Sequence, residues 1–332
     1  MQKSQTSSES RHLSRRTMLK MAGCAGATCF FGKSVIDLSA APESLPVVTS
    51  EKTGRPATKR RFALNTGTLI GLNLPIEEEI DVTAKAGYDG IEIWMMRLEK
   101  YLSEGKKLAD LRKRLDDHGL TVENAIGFAP WIVDDESERA KGIEQIKRDM
   151  ARLAEIGCRR MAAPASGATS KRIDDLEACG ARYRTVLELG EQFNVTPLLE
   201  LWGGSATMHR LSDVTAIAIA ASHPNASLLL DAYHLYKGGN SFAGLNLLNG
   251  KAMHVFHLND YPANPPRELI ADKDRVYPGD GVCPLQELIA TLDAIGFDGV
   301  YSLELFNPAY WAAKDPLAIA TTGLEKMKRL FQ

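Results

Sequence analysis

Cysteine is scarce in this chain, and its copies are poorly placed for chemistry. Of five, Cys24 and Cys29 fall near the N-terminus, and Cys158, Cys179 and Cys283 are too widely spaced for a disulfide framework or a zinc cluster. The last three read as small buried apolar residues. Long hydrophobic runs are missing too: beyond the N-terminus nothing approaches the roughly eighteen apolar residues that mark a membrane span. Charge of either sign is not in excess, at −2 overall, and the first 41 residues hold six Lys/Arg against Glu9 and Asp37, which leaves the remainder at −6. An acidic body lacks the clustered cations that a phosphate backbone requires, so no nucleic-acid partner is expected. A dinucleotide fingerprint is absent as well, because Asn65-Thr66-Gly67-Thr68-Leu69-Ile70-Gly71 has the wrong spacing for GxGxxG.

What is present is ordinary for a globular chain of 332 residues, 44% hydrophobic and 25% charged, which supports a buried core. Ser14-Arg15-Arg16-Thr17-Met18-Leu19-Lys20 resembles a twin-arginine export motif. A weakly apolar run from Met21 to Gly32 and the small residues Ser39-Ala40-Ala41 follow in signal-peptide order. Residues 1–41 are therefore expected to be a leader that exports the protein to the periplasm or beyond. The Pro-, Ser-, Thr- and charge-rich stretch 42–60 is expected to be a linker.

From Arg61 onward short aliphatic runs alternate with helix-period stretches. Strands are predicted at 62–69, 90–94, 121–127, 160–164, 196–201, 227–232, 253–259 and 300–306, with amphipathic helices between them. Two joints, AGYDGIEIW and IGFDGVYSLELF, repeat the same helix–Gly–aromatic–Asp–Gly–strand order. Strands alternating with helices imply a parallel sheet, and eight such units over 61–332 fit a single α/β domain closed as a (β/α)8 TIM barrel better than an open sheet.

Chemistry in such a barrel sits at the C-terminal ends of the strands. Four successive strands end in an acid or an imidazole: Glu200 in Leu199-Glu200-Leu201, Asp231 in Leu230-Asp231-Ala232, His257 in Phe256-His257-Leu258, and Glu304 in Leu303-Glu304-Leu305. One unpaired buried charge costs several kcal/mol, so four on adjacent apolar strands call for a shared cation. Each residue taken singly has a structural reading, an ion pair or a backbone-bonded histidine. Together they form an oxygen-rich set with one nitrogen, suited to Mn²⁺ or Mg²⁺, with Co²⁺ and Zn²⁺ open. Glu92 on the second strand is either an ion-pair member or a substrate contact. Trp94, Trp131, Trp202 and Phe306 are candidate walls for a sugar ring.

The set Glu200, Asp231-x-x-His234, His257-x-x-Asp260, Pro278-Gly279-Asp280-Gly281 and Glu304 resembles the xylose isomerase-like TIM barrels, the sugar isomerase/epimerase group. Residues 272–311 are most similar to its keto-inositol isomerases. The resemblance implies Glu200, Asp231, His257 and Glu304 as ligands of one divalent metal. It also implies His234 on substrate hydroxyls and Arg275 reaching into the site, while Trp202, Glu92 and Asp260 are expected to touch substrate. The expected reaction is isomerisation or epimerisation of a keto sugar or keto-inositol through an enediolate, with Glu200 and Glu304 as the acid–base pair. Open alternatives are a metal-dependent lyase, hydrolase or dehydratase of 3-keto-glycosides or keto cyclitols, and a non-catalytic exported sugar-binding protein. A zinc-cluster endonuclease would need more histidines than His234 and His257 provide. A homo-oligomer is neither signalled nor excluded. The loop from Tyr261 to Gly281 is expected to cover the site as a lid.

Overall fold

The computed structural model describes residues 60–332. The expected leader lies outside the described residues, as does the expected linker apart from Arg60. Eight strands are present: β1 (Arg61–Asn65), β2 (Gly90–Trp94), β3 (Thr121–Ile126), β4 (Arg160–Ala163), β5 (Thr196–Glu200), β6 (Ser227–Asp231), β7 (Met253–His257) and β8 (Val300–Leu303). All paired neighbours run parallel, in the order β3-β2-β1-β8-β7-β6-β5-β4. The two ends of that order, β3 and β4, pack side by side, which makes a near-closed (β/α)8 barrel as expected.

The helices among the described residues are α1 (Ile76–Ala86), α2 (Met95–Ser103), α3 (Leu108–Asp117), α4 (Glu136–Glu155), α5 (Leu176–Phe193), α6 (Leu211–Ala220), α7 (Ala232–Lys237), α8 (Leu285–Ala294), α9 (Pro308–Trp311) and α10 (Pro316–Arg329). None is long and apolar enough to cross a membrane. Their starts follow local chemistry: Asp135, Asp175 and Asp315 each accept a backbone N–H three residues on, capping α4, α5 and α10. Gly87 ends α1 at φ 88°, the left-handed conformation open to glycine.

Three elements differ from expectation. The first strand stops at Asn65 because the Asn65 side chain accepts from Gly67 N at 2.9 Å and turns the chain into a 3-10 helix over Thr66–Leu72. The short α2 follows β2 directly, and α7 follows β6 directly, beginning at Ala232 where the sixth strand was expected to end. At α7 the Asp231 side chain accepts from His234 N, so a strand-end acid also starts a helix.

Alternation along each strand separates two apolar layers. Outward-facing residues such as Leu64, Ile91, Leu199, Leu230 and Phe256 join the core shared with the helices. Inward-facing Ile126, Ala162, Leu198, Leu229 and Val255 form a separate plug. Two residues beyond Leu198, Leu229 and Val255, on the same inward face, stand Glu200, Asp231 and His257. The barrel interior thus changes from hydrocarbon to charge within one layer, at the strand ends.

Helices α5 and α6 touch closely at Gly180. A Cβ there would overlap Ala220 Cβ and crowd the Ala220 and Ala221 backbone at 2.9 and 3.0 Å. Helix propensity alone predicts that Gly180→Ala stabilises by about 1 kcal/mol. Overpacking of about 1–3 kcal/mol reverses the sign here. Thermal melts of G180A are expected to show a Tm a few degrees below wild type, and an increase would show that the helices separate freely.

Candidate active site

The strand ends bring three ligand-type atoms together. Asp231, His257 and Glu304 are buried, and one donor atom of each lies within 4.8 Å of the others. His257 is gripped from behind, with Nε2 3.1 Å from Glu92 Oε1 and 3.3 Å from Oε2. Its Nδ1 points at the acids, 3.2 Å from Glu304 Oε2 and 3.6 Å from Asp231 Oδ2, without making a hydrogen bond to either. A carboxylate that holds one ring nitrogen fixes the direction of the other, which is how metal-binding histidines are oriented.

Arg275 completes the cluster from the loop after β7. Its Nη1 donates to Glu304 Oε2 at 2.8 Å and to Asp231 Oδ2 at 3.1 Å. Burial alone would raise the Asp231 carboxyl, but the Arg275 charge overrides it and holds the group well below the ordinary aspartate range. Burial is likewise overridden at Glu304, first by His257 and then by Arg275, which bring its carboxyl down to about 2. Burial disfavours a charged His257 ring, yet Glu92 and Glu304 raise it well above a free imidazole.

Glu200 stands apart from this group. It lines the same cavity as Glu304, His234 and Arg275, but outside the 4.8 Å cluster. It is 3% exposed and its Oε2 has no partner. Burial, and then the Glu304 charge, push its carboxyl up to about 8. Its neighbour on the cavity, His234, is kept neutral by burial and then by Arg275, whose Nη2 lies 3.0 Å from His234 Nε2.

The cavity measures about 390 Å³. Trp94, Phe128, Trp202 and Phe306 wall it, with ring centroids 5.3 Å apart for Trp94 and Phe128 and 5.8 Å for Phe128 and Trp202. Trp131 is not part of this wall: it is 1% exposed and donates Nε1 to Pro164 O within the core. Phe128 was missed because it follows Gly127, beyond the apolar run that marks β3.

Two expected substrate contacts are placed elsewhere. Glu92 is fully buried behind His257 and accepts Asn124 Nδ2 at 2.7 Å, so it faces the imidazole and not the cavity. The Asp260 carboxylate is saturated by four backbone N–H groups, of Tyr261, Gly279, Gly281 and Cys283 at 2.7 to 3.0 Å. It clamps the long loop in place. The Pro278-Gly279-Asp280-Gly281 run serves this clamp: Gly279 has φ 87°, and a side chain at Gly281 would strike Tyr261 O and Asp260.

Three supporting amides escaped the sequence reading. Asn65 donates to Glu304 Oε1 at 2.9 Å and accepts from Trp94 Nε1 at 2.8 Å, while Asn259 donates to Asp231 Oδ2 at 2.7 Å. Asn124 holds Glu92. Their signal is a buried-type strand interrupted by asparagine, in Leu64-Asn65, Glu123-Asn124 and Leu258-Asn259. The donor set fits a divalent cation: two ionised carboxylates face a buried Nδ1 with no hydrogen bond, beside a carboxyl with a free oxygen.

The profile of the Xylose isomerase-like TIM barrel family matches residues 80–330. The chain belongs to this family. Within reach of it, an inosose isomerase of Bacillus velezensis is 28% identical over 72% of this chain and 86% of its own length. A 3-dehydroshikimate dehydratase of Pseudomonas putida is 23% identical over 74% of this chain and 38% of its own length. The crystal structure of an IOLI protein with a bound zinc atom superposes with a TM-score of 0.76 at 24% identity, covering 81% of this chain and 97% of that one.

Because Glu92 sets the direction of the His257 ring, Glu92→Gln is expected to weaken Mn²⁺ binding by about 10–100-fold in titration calorimetry while the thermal melt stays cooperative. Unchanged affinity would show that Glu92 does not orient the imidazole.

Proposed function

We propose that this protein is a metal-dependent isomerase or epimerase of a keto sugar or keto-inositol, working through an enediolate. The reading is carried by the buried Asp231, His257 and Glu304 cluster, which shares one cavity with Glu200, whose Oε2 has no partner. The inosose isomerase relatives support the reaction class. Asp231, His257 and Glu304 would hold the cation, Mn²⁺ or Mg²⁺ by the oxygen content of the set, with Zn²⁺ admitted by the imidazole. When bound, it supplies polarisation of a substrate carbonyl and stabilises the negative charge that develops on oxygen.

The chain's own side chains divide the remaining work. Both oxygens of Glu304 are engaged, Oε1 by Asn65 and Oε2 by Arg275, and at about 2 its carboxyl is a poor proton acceptor. That supports an anchoring role. Glu200 keeps one oxygen free, and a carboxyl raised to about 8 exchanges its proton near working pH. Of the expected acid–base pair, Glu200 is thus the member suited to take a proton from the hydroxyl-bearing carbon beside the carbonyl and to return it at the carbonyl carbon, while the proton of that hydroxyl passes to the former carbonyl oxygen. His234, neutral and with its buried Nδ1 unpartnered, is suited to hold a substrate hydroxyl. The aromatic wall packs the C–H faces of a ring and excludes water. Export through the twin-arginine-type leader belongs to the same proposal.

Proton NMR of the Mn²⁺-reconstituted protein with 2-keto-myo-inositol in D₂O tests this directly. Deuterium is expected beside the carbonyl, with an isomeric product. Glu200→Gln is expected to slow the exchange by about 10²–10⁴-fold with metal content retained. An unsaturated product would move the activity to a lyase or dehydratase, and absence of exchange across keto-inositols and keto-glucosides would leave a sugar-binding protein.

A further inference from the structure

Arg275 is the only Lys or Arg among the described residues lining the cavity, and it is already engaged. Its guanidinium is 1% exposed, with Nη1 on Asp231 and Glu304 and Nη2 on Asp272 Oδ1 at 2.6 Å and on His234. Its faces lie over Tyr233 at 4.5 Å and Phe306 at 5.1 Å, and only the buried Nε lacks a partner. Three carboxylates therefore converge on one guanidinium, and Glu92 adds a fourth behind His257. Against these acids stand two cations, Arg275 and His257.

Asp272 differs from the other acids. It comes from a 3-10 helix (Asp272–Asp274) in the loop that Asp260 clamps, and its side chain is 56% exposed at the cavity mouth. Asp231 and Glu304 belong to the cation cluster, whereas Asp272 touches none of the three ligand atoms and bonds the guanidinium alone. An anionic ketone entering the cavity would meet the Asp272 charge and would have to displace its carboxylate to reach Arg275. Much of the remaining lining is aromatic, which suits the C–H faces of a polyol and offers an anion no charged partner.

Building on the reading of this cavity as a keto-sugar site, we propose that Asp272 determines charge specificity. By occupying Arg275 Nη2 it leaves the pocket, among the described residues, without a free side-chain cation, so the site takes uncharged polyhydroxy ketones and turns away keto acids and sugar phosphates. Among the reactions of its relatives, this places the chain with the neutral-substrate isomerases and apart from a dehydratase whose substrate is a carboxylate.

Binding reports on this without turnover, because Trp94 and Trp202 line the cavity and their fluorescence follows occupancy. The full chain in Mn²⁺ buffer is titrated with 2-keto-myo-inositol, 3-dehydroshikimate and fructose 6-phosphate. Wild type is expected to bind the neutral ketone at least about tenfold more tightly than either anion, a preference that weakens with added salt. Asp272→Asn is expected to tighten the anions by about tenfold with little change for the neutral ketone, and Asp272→Glu to restore the wild-type order. Equal binding of anions and neutral ketone by wild type, or an unchanged ratio in D272N, would overturn the proposal, as would absence of binding by all three probes. The isomerase reading fails separately if 2-keto-myo-inositol binds with the expected preference but exchanges no deuterium.

Discussion

Compensation of buried carboxylates governs the upper half of this barrel. Glu92, Glu200, Asp231 and Glu304 are each less than 5% exposed, on strands whose lower halves are hydrocarbon. An ionised carboxylate in such a place persists only if cations and hydrogen-bond donors surround it. The chain supplies Arg275 from one side, the His257 ring from the other, and the amides of Asn65, Asn124 and Asn259 around the edge. Glu200 receives less of this support, and burial together with the Glu304 charge pushes its carboxyl up to about 8. One layer of the barrel thereby produces two kinds of acid, an ionised set that binds and one raised carboxyl that can exchange a proton.

The same constraint explains the long loop. Arg275 can serve the cluster only if its backbone is held at the mouth, and Asp260 does this by accepting four backbone N–H groups. A two-way backbone bridge between Asp260 and Val276 fixes the residue next to Arg275. The expected lid is therefore a fastened arm. Its acidic member, Asp272, sits where the arm meets the cavity, so the segment that delivers the cation also limits what the cation can bind.

Much of this was legible in the sequence. Eight aliphatic runs with acids or imidazole at the ends of four of them predicted both the barrel and the layer where its chemistry sits, because strand alternation carries residues two apart to the same face. The roles of single residues were harder to read. Glu92 and Asp260 look like their neighbours in a list of acids, and only three-dimensional placement shows one behind an imidazole and the other filled by backbone amides. Asn65 was invisible for another reason: it ends a strand, caps a 3-10 helix, and holds both Glu304 and Trp94, functions that a hydrophobicity pattern does not encode. The early end of β1 and the short helix that carries His234 follow from such side-chain caps, which override the local periodicity.

The central claim is that the Asp231, His257 and Glu304 cluster is built to hold a divalent cation. Anomalous diffraction from crystals grown with Mn²⁺ tests it most directly. The account predicts one strong peak at about 2.0–2.3 Å from His257 Nδ1 and from one oxygen each of Asp231 and Glu304. A map without that peak, or with manganese only at surface carboxylates, would contradict it and leave Arg275 and the imidazolium as the cluster's permanent cations.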